Sequence, residues 1–455
     1  MSTLELLQAQ RAYFQSGVTR DYHFRLNQLD TLKRIILKHE ERIAEALKTD
    51  LNKSFFEAYE TEIGIVLMEI SHAQKHLKKW MKPQKVKTPF ASFPGQSRIY
   101  HDPYGVVLIM SPWNYPFLLT ISPLVGAIAA GNCAILKPGS YSEATARIMD
   151  ELIREAFDPR YISVVLGGRA VNTDLLQQQF DCIFFTGSVN VGKTVMSAAA
   201  RYLTPVILEL GGKSPCIVDE TADLDLAAKR IAWGKCINSG QTCIAPDYLL
   251  VQEKVKDKLL EKLKQTLTSF WGQEPQNHPD YPKIINPAHF ERLAQLLKSG
   301  KIYCGGQCNL KDLKIAPTLL DAVDWDSPVM QEEIFGPILP VLSFSTLKEV
   351  SDLLQEKPKP LALYLFTSSK ENEQFIMNHV SFGGGGVNET LMHMVTPYLP
   401  FGGVGNSGMG HYHGKYSFEA FSHQKSVLKK WRYETPTRYA PYSKNHLKIL
   451  KMVMK

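Results

Sequence analysis

A cysteine stands among small and polar residues in Ser239-Gly240-Gln241-Thr242-Cys243-Ile244-Ala245, after the helical-looking run 222–236. Most cysteines fill core space as small hydrophobes. Cys243 differs, because its neighbours leave room for a ligand to reach the sulfur. Upstream, Glu209 ends the apolar run Val206-Ile207-Leu208, and Leu210, Gly211 and Gly212 follow it. A thiol nucleophile and a carboxylate base are two of the three requirements of acyl chemistry at sulfur. The third is a donor to the developing oxyanion. Asn114, in Pro112-Trp113-Asn114-Tyr115-Pro116, supplies one, and the Cys243 backbone N–H is a second.

These residues need a frame. Between 104 and 210 the pattern alternates. Strands are predicted at 106–110, 134–136, 162–166, 182–185 and 206–210, with helices near 117–130, 142–156, 171–179 and 190–201. Repeated βα units make a doubly wound parallel sheet, an α/β fold whose ligands bind at the carboxyl ends of the strands. Asn114, Lys137, Gly187 and Glu209 fall at or just past those ends. A second α/β pattern runs from 213 to 391, with strands at 216–218, 248–251 and 361–366 and a helix at 347–356. The N-terminal residues 3–16, 21–51 and 55–82 read as amphipathic helices, which Pro83, Pro89 and Pro94 interrupt before an extended piece at 97–101. Residues 106–136 carry no charge and are long enough to span a bilayer. Pro112, Pro116, Pro123, Gly126, Gly131 and Asn132 punctuate them, which favours a buried strand–loop–helix–strand unit.

Composition narrows the class. A chain of 455 residues exceeds one core, and 44% hydrophobic with 21% charged residues is the balance of a soluble globular protein. Seven cysteines in no regular framework imply free thiols, a reducing compartment and hence the cytoplasm. Cys304 and Cys308 lack a second ligand pair, so no metal site is read. The first residues lack the basic and apolar regions of a signal peptide. The whole chain is +7, while residues 425–455 alone sum to +8 with Glu434 as their one acid. The positive charge is therefore a property of the tail and not a nucleic-acid face. Lys448, Lys451 and Lys455 share one helical face, beside Ile449, Leu450, Val453 and Met454. A weak membrane-surface contact and a frayed, solvated C-terminus both fit that pattern.

Four blocks carry a resemblance. Phe185-Thr186-Gly187-Ser188, Leu208-Glu209-Leu210-Gly211-Gly212-Lys213-Ser214-Pro215, Gly240-Gln241-Thr242-Cys243 and Glu332-Glu333-Ile334-Phe335-Gly336-Pro337 resemble, in order, the signature blocks of aldehyde dehydrogenases. The short N-terminus and the spacing resemble the class-three branch, which acts on fatty and aromatic aldehydes. The resemblance implies a Rossmann-type cofactor domain (1–82 and 104–210), an α/β catalytic domain (211–391), a strand-built oligomerisation element (83–103 and 392–424) and the basic tail 425–455. It implies NAD or NADP as cofactor, no metal and a homodimer. Cys243 as thiolate attacks the aldehyde, Asn114 helps to hold the oxyanion, the cofactor takes up the hydride, and Glu209 activates the water that hydrolyses the thioester. Trp113, Lys137, Ser140, Gly187, Ser188, Val191, Gly192, Leu210, Gly211, Glu333 and Phe335 would bind the cofactor, with Lys137 on the adenosine ribose and Glu333 on the nicotinamide ribose. Tyr115, Leu391, Met394, Phe401 and His413 would line the aldehyde tunnel. A solvated lysine and a surface carboxylate are the ordinary readings of Lys137 and Glu333.

Three other patterns compete. Gly187-Ser188-Val189-Asn190-Val191-Gly192-Lys193-Thr194 matches the P-loop GxxxxGK[ST], so a nucleotide triphosphatase is the alternative from another class. That reading leaves Cys243 and Glu333 without a role. Gly403-Val404-Gly405-Asn406-Ser407-Gly408 is a literal GxGxxG, but it has no preceding strand and reads as a tight loop. A coenzyme A-acylating enzyme would have no use for the base Glu209. Ser140 stands where many family members carry a glutamate that repels a 2′-phosphate, which predicts relaxed selectivity towards NADP⁺. A helix cap with Glu143 as its capping-box partner is the simpler role for Ser140.

Overall fold

The structure is a computed structural model that describes residues 2–433 and 436–454. Glu434 and Lys455, which enter the charge and face of the tail, lie outside the described residues. Helix α1 (Thr3–Gln15) opens on a capping box in which Ser2 and Glu5 bond reciprocally. The helix expected over 21–51 is two, α2 (Tyr22–Lys38) and α3 (Glu40–Leu51), broken at His39. The periodicity hid the break because Leu32, Ile36, Ile43 and Leu47 stay buried on both sides of it. The helix expected over 55–82 is α4 (Phe55–Ala58), a π-helical turn (Tyr59–Ile63) and α5 (Gly64–Trp80).

Strands β1 (Gln84–Val86) and β2 (Gly95–Pro103) follow. Then β3 (Val106–Met110), α6 (Leu118–Ala130), β4 (Cys133–Lys137), α7 (Glu143–Ala156), β5 (Ile162–Val164), α8 (Arg169–Gln177), β6 (Cys182–Gly187), α9 (Val189–Ala200) and β7 (Val206–Leu210) alternate. The second half contains β8 (Pro215–Val218), α10 (Leu224–Cys236), β9 (Tyr248–Gln252), β10 (Lys301–Cys304) and the small pair β11 (Cys308–Asn309) and β12 (Lys314–Ile315). It continues through β13 (Thr318–Asp321), β14 (Ile338–Phe344), β15 (Ala362–Phe366), β16 (Gly384–Val387), β17 (Gly408–Met409) and β18 (Ser422–Lys430).

Three main sheets result. One is six-stranded, β17-β7-β6-β3-β4-β5, parallel except for β17 at its edge. Its order switches between β3 and β6, so a crevice opens beyond their carboxyl ends. The second is seven-stranded, β10-β13-β14-β9-β8-β15-β16, with only β10 antiparallel. The third is the antiparallel β1-β2-β18. Strand β18 runs across the boundary expected at 424/425, so the first residues of the basic tail belong to this sheet. The charge-free segment owes its composition to burial on both faces, since every residue of β3, α6 and β4 is buried. Among the described residues no helix is long and apolar enough to cross a membrane.

The start of α7 corrects the expected cap. Its N-cap is Ser142, not Ser140, and the Ser142 side chain does not cap. Asp50 does so from α3, with its carboxylate accepting from Ala144 N, Thr145 N and Thr145 Oγ1. Ser140 is left exposed in the preceding loop.

Candidate active site

Past α10 the chain turns through Asn238 and Ser239, both buried with φ of 51°. Left-handed geometry at a non-glycine residue persists only where the surroundings impose it. Here Glu57 Oε1 accepts from Asn238 N at 2.7 Å, and Ser239 Oγ donates to the Pro282 carbonyl. Gln241 donates through Nε2 to the carbonyls of Asn238 and Lys283 and accepts from Ile285 N. The loop delivers Cys243, partly exposed, to a cavity of about 310 Å³. Burial, then the nearby charges of Glu333 and Glu209, push this thiol up to about 12 against the pull of the Cys243 and Ile244 amides. At neutral pH it is a thiol that needs a base.

Glu209 lines the same cavity from β7. Both its carboxylate oxygens are buried without a partner among the described residues, and burial raises it well above the usual carboxylate range. Its strand neighbour in β17 is Gly408, at φ 147°. A Cβ there would come within 2.1 Å of the Leu208 carbonyl, so the GxGxxG stretch serves as a close-packed edge beside Glu209. Asn114 is buried just behind the cavity and is not among its lining residues. Its Nδ2 donates to the Gln241 carbonyl at 2.9 Å, which ties the loop after β3 to the Cys243 loop. An amide nitrogen has two hydrogens, and the second is left for an oxyanion.

Of the tunnel residues, Tyr115, Leu391, Met394 and Phe401 line the cavity. His413 does not. It sits behind the wall, stacked on Tyr412 at 4.2 Å with Nδ1 turned to Glu69, and Tyr412 takes the lining position. Sequence reasoning missed Tyr59, Ile65 and Met68, which form one side of the cavity, and Trp233 and Ile237, which form another. Their helical spacing was indistinguishable from that of core residues.

The crevice residues fit a dinucleotide. Helix α9 starts at Val189 on an N-cap, Ser188, whose side chain makes no capping bond, so the first amides are open to an anion. Glu333 has a buried Oε1 with no partner. Its other oxygen lies where a Cβ on Gly211 would approach within 2.1 Å. A carboxylate with one oxygen left free beside bare backbone suits vicinal hydroxyls. Gly192 lets α9 close on Leu210, and Val191 is left exposed. Trp113 lies 5.4 Å from the ring of Phe335 and 5.2 Å from His289, an aromatic neighbour that sequence reasoning did not find. Lys137 is buried, with Nζ donating to the Pro138 carbonyl at 2.6 Å, and burial draws it down to about 8. It is not a solvated lysine.

The P-loop reading fails on the same ground. With α9 beginning at Val189, Gly192, Lys193 and Thr194 are already helical, and Thr194 Oγ1 bonds the Asn190 carbonyl. No loop remains to wrap phosphates.

The chain matches the model for the aldehyde dehydrogenase family over residues 5–427. It is 51% identical to the 4,4'-diaponeurosporen-aldehyde dehydrogenase of Staphylococcus aureus, across 98% of this chain and 97% of that one. It is 45% identical to aldehyde dehydrogenase family 3 member B1 of Mus musculus, across 98% and 96%. A solved structure, described as the substrate-bound state of Staphylococcus aureus AldH, has 50% identity and a TM-score of 0.97 over 100% of both chains. With fold, site and both coverages in agreement, the chain belongs to the aldehyde dehydrogenase family, in its family 3 branch, and oxidises an aldehyde with NAD or NADP.

Proposed function

We propose that this enzyme converts medium- to long-chain aliphatic or aromatic aldehydes into free carboxylates by a covalent route through Cys243. The observation that carries this reading is one cavity, walled almost wholly by hydrocarbon and aromatic side chains, on which Cys243 and Glu209 both open. The Cys243 proton passes to Glu209, directly or through a water, and the sulfur forms a bond to the carbonyl carbon. The resulting alkoxide is held by the second Asn114 N–H and the Cys243 backbone N–H. The nicotinamide coenzyme, when bound, supplies the hydride acceptor. Glu209, once it has released the Cys243 proton to solvent, takes a proton from the water that attacks the thioester, the C–S bond breaks to return the Cys243 thiolate, and the acid leaves as its carboxylate. Lys137 and Glu333 hold the two riboses, and the open amides of α9 face the pyrophosphate. The six-stranded sheet serves as the coenzyme body, the seven-stranded sheet as the catalytic body and the three-stranded sheet as the contact of a homodimer.

Assays over an aldehyde chain-length series, with and without coenzyme A, test the reading. kcat/KM is expected to rise with chain length, with the free acid as product in both cases. Preference for short polar aldehydes, or a coenzyme A thioester as product, would overturn it.

Coenzyme choice gives a second prediction. Ser140 is exposed, caps nothing and carries no charge, so nothing there repels a 2′-phosphate. Ser140→Glu is expected to lower kcat/KM for NADP⁺ by roughly 5- to 150-fold while NAD⁺ use stays near wild type. An equal loss with both coenzymes would refute the assignment.

The helix Lys444–Val453 exposes lysines on one side and Leu447, Ile449 and Met452 elsewhere, and none of its residues is buried. We read it as a weak anionic-membrane contact of a cytoplasmic enzyme. Anionic vesicles at low salt should pellet the full chain and not one ending at Ser443; equal pelleting would refute the contact.

A further inference from the structure

Lys53 is fully enclosed. Its Nζ lies 2.6 Å from Glu62 Oε1, and both side chains have 0% exposure. The other Glu62 oxygen accepts from Phe117 N at 2.8 Å and Leu118 N at 3.0 Å, where the Asn114 loop enters α6. Lys53 Nζ also stands 3.4 Å from the Asn114 carbonyl and 3.9 Å from the centre of the Tyr115 ring. The Tyr115 hydroxyl bonds Thr242 Oγ1 at 2.6 Å, next to Cys243. Glu57, four residues past Lys53, accepts from Asn238 N at 2.7 Å in the left-handed turn before Cys243. Three charged side chains from one short segment therefore grip both loops of the site.

Stability is a poor reason for such a group. Hydrocarbon of similar volume usually stabilises as well as a buried ion pair, or better. What charges add is direction, because each must find its partners or remain unsatisfied. Burial raises both carboxyls, Glu57 to about 7, and the Lys53 charge draws each back down, so the three act as one unit.

We propose that Lys53, paired with Glu62 and flanked by Glu57, is a positioning residue that sets the Asn114 loop against the Cys243 loop for attack on the aldehyde. The inference rests on the roles proposed above for Asn114 and Cys243. Lys53 touches no reacting atom; it acts through Asn114. Misplacement of a reacting group by about 1 Å costs on the order of 100-fold.

The test is the pre-steady-state burst of reduced coenzyme in the double variant Lys53→Met/Glu62→Gln. That variant removes both charges together and keeps an amide oxygen for Phe117 N and Leu118 N. The burst rate is expected to fall about 10- to 100-fold, with melting temperature little changed. In an Asn114→Ala background the same double substitution should cause no further slowing. A normal burst in the folded double variant, or equal slowing in both backgrounds, would overturn the proposal. A wild-type burst in Asn114→Ala alone would overturn the oxyanion reading as well, which separates the two failures. Lys53→Arg is the second variant should the double one not fold. It keeps the charge and changes its reach, and a wild-type burst there would overturn the proposal equally.

Discussion

Cys243→Ala is expected to lower kcat for aldehyde oxidation by at least about 10³-fold, while coenzyme affinity stays within about twofold of wild type. No other thiol can stand in. Cys133, Cys182, Cys216 and Cys236 are buried, and burial drives each of their thiols upward. Cys304 and Cys308 do not line the cavity. The loop should survive the change, because its left-handed turn is held by bonds to Glu57, Pro282, Lys283 and Ile285 and not by the sulfur. Turnover assays, coenzyme titration and intact mass after exposure to aldehyde check the prediction. Turnover near wild type, or a covalent acyl adduct on the variant, would end the role of Cys243 as nucleophile.

What could be read from the sequence follows from what each signal encodes. The strands β3 and β7 were predicted to the residue, because fully buried parallel strands are continuous apolar runs bounded by turn residues. The strand expected to reach 166 ends at Val164, since the apolar run outlasts its pairing with β4. Cys243, Glu209 and Asn114 stood out because their types do not suit the apolar or turn positions they occupy. The Lys53–Glu57–Glu62 group left no such mark. Lys53 falls between two expected helices and Glu57 and Glu62 fall inside the second, where charges look solvated, and only the tertiary fold reveals all three as enclosed. Trp233, Ile65 and Met68 were equally silent, because a cavity wall and a core use the same side chains. Tyr412 rather than His413 lines the cavity, and His413 has a φ of 83°, a backbone state that no periodicity predicts. The capping alternative for Ser140 fails because Asp50, distant in sequence, caps α7 instead.

Glu209→Gln is expected to slow thioester hydrolysis by about 10²- to 10⁴-fold, with a slower but still visible burst of reduced coenzyme. The trapped thioester should appear as an added acyl mass on Cys243. The pH dependence follows from burial. The Glu209 carboxyl is raised well above its usual range, so the base form exists only above that displaced value. Wild-type hydrolysis should therefore rise with pH through the displaced value and level off above it, and the rise should vanish in the glutamine variant. Stability runs the opposite way. A carboxyl whose folded pKa exceeds its unfolded value of about 4.3 favours folding while protonated, and that advantage is lost as pH climbs towards the folded value. Glutamine keeps the shape and never ionises. The melting temperature of Glu209→Gln should thus exceed wild type by a margin that grows with pH above about 4.3, over the same window in which wild-type hydrolysis accelerates. A margin that is flat in pH would mean that Glu209 ionises normally in the folded enzyme. Unchanged steady-state hydrolysis would remove it from the role of base.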